Sequence, residues 1–257
     1  MIIDKGNYKL YKGDCLEVMD GLIALGVKFD AIITDPPYGT TACKWDSIIP
    51  FDEMWSRLNK LIKPKTPIIL FGSEPFSSAL RMSNIKNYKY DWKWNKTIGG
   101  NPLIAKYKPM NIFEDIIIFG KGTINYYPIM EDADPKNIRP LNVVCKKTDL
   151  LSGIKSGEFK TSKNYNPKKR YPKNEIKISS RAKECNQVNR VHPTQKPVDL
   201  VEYLIKTYTN EGDLVLDFTM GSGSTGVACL NTNRRFVGIE LDEKYFKISC
   251  ERLENIS

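Results

Sequence analysis

Apolar and polar residues along the chain follow two periods. Short continuous apolar runs at Ala31-Ile32-Ile33 and Ile68-Ile69-Leu70-Phe71, with similar runs in 213–217 and 236–239, predict buried strands. Tyr8 to Tyr11 predicts a further short strand, closed by Gly13 and Asp14. Between these runs lie segments of helical character at 15–25, 51–62, 76–81, 198–208, 225–231 and 243–253; in the fourth, Val201, Leu204 and Ile205 recur at helical spacing, and Pro64 ends the second. Tyr88 to Trp94 alternates as a strand does and Asp115 to Phe119 is apolar. The two frame a polar segment with Gly99, Gly100, Asn101 and Pro102, expected as a loop over the sheet's edge. Strand following helix throughout predicts an α/β fold, a parallel sheet with helices on both faces.

The rhythm is lost from Gly120 to Asn189. There Lys146, Lys147, Lys160, Lys163, Lys168, Lys169, Arg170, Lys173, Lys177, Arg181 and Lys183 appear with few acids, interleaved with Tyr165 and Tyr171. This predicts a catalytic domain of 1–119 and 190–257 carrying a basic insertion of 120–189. Basic and aromatic residues together suit a phosphate backbone with exposed bases, and a partly disordered insertion is the plain alternative. A formal charge of +9 over 257 residues agrees with a polyanionic partner. Cys15, Cys43, Cys145, Cys185, Cys229 and Cys250 are scattered, and His192 is the only histidine, so no zinc or other metal site is expected. With no leader-like opening and no apolar run of membrane-spanning length, a reducing, cytoplasmic setting without membrane contact is expected.

The strand at Ala31 has to stop at Asp35, because Pro36 and Pro37 have no N–H to continue a ladder. Their fixed φ values hold the carbonyls of Asp35 and Pro36 and the ring of Tyr38 in place. A carboxylate, carbonyl acceptors and a flat face suit a planar molecule with an exocyclic amino group; a strand end with a Pro-Pro turn is the plain reading. Asp14, at a strand-to-helix turn, reads locally as an N-cap.

A second turn lies between Leu214 and Gly226. Gly221, Gly223 and Gly226 have the GxGxxG spacing between strand and helix, and Glu240 ends the next strand about twenty residues on, where an acid can accept both hydroxyls of a ribose. Only about thirty residues follow, one supersecondary unit, so a nicotinamide domain beyond it is not expected. The N-terminal units would complete the same sheet and bring the Asp35 turn beside the glycine turn at the strands' carboxyl ends.

These residues resemble the amino-group DNA methyltransferases that use S-adenosylmethionine, in the circularly permuted order of their β class. Asp35-Pro-Pro-Tyr38 is similar to the catalytic motif, Gly13 to Glu17 to the segment before it, and Leu70 to Ser73 to the strand after it. His192 to Pro197 is similar to the segment leading to the cofactor-side helix, and Val215 through Gly223 to the cofactor turn. Positions 120–189 match nothing and fall where the family keeps its target-recognition region. Thr219 stands where the family has phenylalanine, beside Phe218, and Phe113 stands where it has histidine.

The resemblance implies a Rossmann-like methyltransferase sheet and methyl transfer from S-adenosylmethionine to the N6 of adenine in double-stranded DNA, with the base flipped out. It implies catalysis by Asp35, Pro36, Pro37 and Tyr38. It also implies a cofactor held by Asp217, Gly221 and Gly223 along the amino-acid moiety, Glu240 on the ribose, Asp14 and Cys15 near the adenine, and Lys196 near the methionine carboxylate. It implies that Asp35, Ser73, Phe218 and Ser222 belong to the same cofactor site. Lys163, Lys168, Lys169, Arg170, Lys173 and Arg181 become candidate DNA contacts, and His192 a structural residue. Asp at the first motif position favours adenine N6; the rivals are cytosine N4, a glutamine amide in a protein, and a non-catalytic DNA-binding subunit. The recognition sequence, a homodimer and a cognate restriction endonuclease are left open by the sequence.

Overall fold

The computed structural model describes residues 1–40, 46–100, 102–138, 166–181 and 195–256. Lys44, Trp45, Asn101, Lys146, Lys147, Lys160, Lys163, Tyr165, Lys183 and His192, with Cys43, Cys145 and Cys185, lie outside them. The chain divides into one unit of 1–127 with 174–257 and another of 128–173.

In the larger unit the strands are β1 (Ile2–Asp4), β2 (Tyr8–Lys12), β3 (Ala31–Thr34), β4 (Ile68–Gly72), β5 (Tyr88–Gly100), β6 (Asn111–Phe119), β9 (Glu175–Lys177), β10 (Leu214–Asp217) and β11 (Arg235–Glu240). The helices are α1 (Cys15–Ala24), α2 (Phe51–Leu61), α3 (Phe76–Ser83), α4 (Val198–Tyr208), α5 (Ser224–Asn231) and α6 (Glu243–Glu254). The sheet order is β1-β2-β11-β10-β3-β4-β6-β5-β9. Its centre, β2 to β4, is parallel throughout.

Strand alternation explains the layers. Ala31, Ile33, Ile69, Phe71 and Val215 point to a core with Val201 and Leu204 of α4, Ala228 of α5 and Phe246 of α6. Ile32, Ile68, Leu70 and Leu216 point the other way, to Met19 and Leu22 of α1, Leu58 of α2 and Leu80 of α3. Every central strand therefore buries both faces, each large aliphatic side chain contributing about 1.5–3 kcal/mol.

The sheet departs from the expected parallel arrangement at its ends. β1 pairs antiparallel with β2, and β6 runs antiparallel to both β4 and β5. The expected loop at Gly99 and Gly100 is strand: β5 continues past Trp94 until Gly100 faces Asn111. β9 pairs alongside β5 from Lys93 to Asn95, where the polar stretch begins. The unit of 128–173 contains the antiparallel pair β7 (Glu131–Asp132) and β8 (Lys169–Arg170).

Candidate active site

Parallel strands present all their carboxyl ends on one edge. Thr34 of β3 faces Leu70 of β4, Asp217 of β10 faces Gly238 of β11, and Glu240 faces Lys12 of β2, so the residues just past these ends gather along that edge. α5 and α2, which follow β10 and β3, cover opposite faces, and the crevice between those two strands is the switch point where open α/β sheets bind ligands. A cleft of about 780 Å³ opens here. It is lined by Asp14, Cys15, Asp35, Pro36, Pro37, Tyr38, Lys196, Asp217, Phe218, Gly221, Ser222 and Glu240.

Two of the cofactor candidates do not line it. The Ser73 carbonyl accepts the Ser77 N–H at 3.0 Å at the start of α3. Gly223, at φ +80°, starts α5, and a Cβ there would stand 2.9 Å from Ser249 Cβ of α6. Its glycine serves helix packing.

Hydroxyl bridges join the two turns. Thr34 Oγ1 donates to Asp217 Oδ1 at 3.0 Å and accepts the Phe218 N–H at 3.1 Å. Thr219 Oγ1 donates to the Asp35 carbonyl at 3.0 Å, so that carbonyl is already engaged, while Pro36 lines the cleft beside it. Asp217 also accepts from Thr225 Oγ1 at 2.6 Å and from Thr219 N–H at 3.1 Å. Burial pushes its carboxyl up to about 7 against these bonds.

A charged cluster forms one wall of the cleft. Lys196 Nζ lies 2.6 Å from Asp35 Oδ2 and 2.9 Å from Glu114 Oε1, and its side chain is 10% exposed. The Tyr38 hydroxyl donates to Asp35 Oδ1 at 2.5 Å and stands 3.1 Å from Glu114 Oε1. Phe76 stacks on the Tyr38 ring at 5.0 Å, while Asp46 accepts the N–H groups of Gly39 and Thr40 and fixes the chain beyond. Burial raises the Asp35 carboxyl while the Lys196 ammonium draws it back. Burial opposes the charge on Lys196, but Asp35 and Glu114 outweigh it and hold its pKa above the usual lysine value. The Asp35 side chain keeps 25% of its surface open, enough for a further hydrogen bond. Lys196, expected near a methionine carboxylate, has its ammonium on Asp35 and Glu114.

The other end of the cleft fits a nucleoside. Glu240 is anchored by the N–H groups of Gly221 at 2.8 Å and Asp242 at 2.7 Å, and burial raises its carboxyl. Asp14 caps α1, accepting from Leu16 and Glu17 through Oδ1 and from no described residue through Oδ2, so the cap reading holds while the side chain still faces the cleft. Two aimed carboxylates can receive ribose and amino hydrogens, and Leu16, Phe218, Ile239 and Tyr245 offer walls for a flat ring. Burial pushes the Cys15 thiol up to about 12, so it is a neutral wall group.

Sequence reasoning did not single out Glu114 or Thr34. Both sit in apolar strands, and the partners that explain them lie 82 and 183 positions away in the chain. Phe113, in the expected histidine position, is 42% exposed and does not line the cleft. Of the basic candidates, Lys169 pairs with Asp132 at 2.8 Å and Arg170 donates to the carbonyls of Pro167 and Lys169, within the smaller unit. Lys168 and Lys173 are exposed there. Arg181 lines the cleft of the larger unit. No group of metal-ligating side chains occurs among the described residues, and no helix among them is long and apolar enough to cross a membrane.

Comparison with known proteins adds lineage to this geometry. The family model described as DNA methylase matches residues 29–251. The type II methyltransferase M.HpaI of Haemophilus parainfluenzae is 29% identical over 242 residues, 88% of this chain and 68% of its own length. Among solved structures, the M1.HpyAVI–SAM complex is 25% identical with a TM-score of 0.63, over 96% of this chain and 98% of that one. The PvuII DNA methyltransferase, described as cytosine-N4-specific, shares the fold at 18% identity and a TM-score of 0.63, over 98% and 90% of the two chains.

Proposed function

The chain belongs to the DNA methylase family of amino-group (N6 or N4) methyltransferases, and from that premise we propose that it methylates the N6 of adenine at a specific site in duplex DNA, using S-adenosylmethionine. The observation that carries this reading is the bond from Thr219 Oγ1 to the Asp35 carbonyl, which ties the turn that would hold a nucleoside cofactor to the turn that would hold an amine.

An aromatic amine is a poor nucleophile because its lone pair is delocalised into the ring. Asp35 and the Pro36 carbonyl accept its two hydrogens, favour a pyramidal nitrogen and stabilise the positive charge that develops there. S-adenosylmethionine, when bound, supplies the methyl group from a sulfonium. Lys196 favours the charged form of Asp35 against the burial that opposes it, and Glu114 shares that ammonium, so the carboxylate has acceptor capacity for the amine. The Tyr38 hydroxyl fixes the carboxylate, and Phe76 holds the Tyr38 ring as a platform. A base stacked on the face of that ring away from Phe76 gains about 1–3 kcal/mol. The product ammonium is strongly acidic, so its proton leaves through Asp35 with no dedicated base.

The amine lies inside a duplex, hence the base is extruded before transfer. Basic residues of 120–189, with Arg181 at the cleft, supply target recognition, and kinship with type II methyltransferases supports a cognate restriction endonuclease as partner. Asp at position 35 favours adenine. Incubation with methyl-labelled cofactor and mixed-sequence duplex DNA, followed by nucleoside digestion, should place the label in N6-methyladenine; label in N4-methylcytosine or in protein overturns the assignment.

A further inference from the structure

The β5–β6 hairpin reaches beyond the cleft it helps to line. Its strands close where Gly100 faces Asn111, and a 3-10 turn at Pro102–Ile104 begins the tip. Leu103 is 92% exposed, Tyr107 77% and Met110 48%. Large apolar side chains left uncovered together on one hairpin mark an interaction surface. Between Lys96 and Phe113 there is no Asp or Glu, while Lys106 and Lys108 stand exposed at the tip, the first with Nζ 4.9 Å from the centroid of the Tyr107 ring.

The root of the hairpin is a wall of the cleft. Lys96, Ile98, Gly99 and Gly100 line it together with Asp35. Leu103 is three residue steps beyond Gly100, so their Cα atoms are at most about 11 Å apart. The tip thus starts at the rim through which an extruded base would pass. A lysine pair without acids calls for a polyanion. An apolar tip needs a place from which water is excluded, and a duplex provides one where a base has left its stack. Two copies of this chain meeting tip to tip would instead bring the same lysines face to face.

We propose that this hairpin tip enters the duplex as the target base leaves it. Leu103 and Tyr107 supply the surface that fills the vacated stack, and Lys106 and Lys108 rest on flanking phosphates. The inference rests on duplex DNA being the substrate.

The test compares the wild type with the Leu103→Ala/Tyr107→Ala double variant on a duplex carrying the site mapped by methylation sequencing, and on the same duplex with the target base opposite an abasic position. On the paired duplex kcat/KM should fall about ten- to a hundredfold, with loss of the fluorescence rise of 2-aminopurine at the target. On the abasic duplex the deficit should shrink to within about threefold, because the base is already loosened. Binding of S-adenosylmethionine should be unchanged. Equal losses on both duplexes, no loss on either, or a change from dimer to monomer with flipping intact would overturn the proposal. A wild type that methylates neither duplex would instead overturn the parent reading, and the wild-type control shows that case separately.

Discussion

At the cleft floor polar groups are buried or half-buried, and held: Asp217 by Thr34, Thr219 and Thr225, Asp35 by Lys196 and Tyr38, Glu240 by two backbone amides. At the tip of the β5–β6 hairpin apolar groups are exposed, Leu103 and Tyr107 above all. Both invert the usual distribution of residues, for opposite reasons. The floor has to be charged and oriented before any substrate arrives, so folding itself meets the cost of desolvating it. The tip can stay uncovered because the surface that would bury it belongs to another molecule.

Removing the floor's central acceptor should have the largest effect. Asp35→Ala should lower single-turnover methyl transfer by at least about 10³-fold while equilibrium binding of S-adenosylmethionine stays within a few-fold. Near-normal transfer would mean that the floor is a structural feature only. Lys196→Met leaves Asp35 and Glu114 facing one another without their ammonium, and should cost about 3 kcal/mol of folding stability, read as a lowered Tm, with Lys196→Arg milder.

Asp217 gives a slope in place of a step. Its carboxyl is pushed up from 3.8 to about 7, so the folded state holds the proton more tightly than the unfolded chain does. Its contribution therefore lowers stability as pH rises between those values and is level on either side. Denaturant midpoints measured across that window should show the decline, and Asp217→Asn should flatten it. At the tip the effect is smallest: Lys106→Gln and Lys108→Gln should each make the salt dependence of DNA affinity shallower by about one unit of log–log slope, with turnover at saturating DNA preserved.

How much of this was legible in the sequence follows the same division. The parallel centre was readable because Ile32, Ile33, Ile68 and Ile69 are buried on both faces and leave an unbroken apolar run. The far end of β5 was not, since Asn95, Lys96, Thr97 and Gly99 carry no strand pattern, and the stretch is held at its two ends, where Asn95 faces Phe113 and Gly100 faces Asn111 of β6. The two turns were readable from Asp35-Pro-Pro-Tyr38 and the glycines, whose conformational demands are local. Lys196 was expected to face a ligand. Its contact with Asp35 spans 161 positions, and only the folded sheet reveals it. Gly223 shows the converse: spacing marked it for a cofactor, and the close approach of α6, which spacing does not show, is a packing reason for a glycine there.

The central claim is spatial, and amide hydrogen exchange tests it most directly. S-adenosylmethionine alone should slow exchange in peptides covering residues 31–40 and residues 214–226 together, because both turns wall one cleft. Protection of the glycine turn with none at the Asp35 turn would contradict the account.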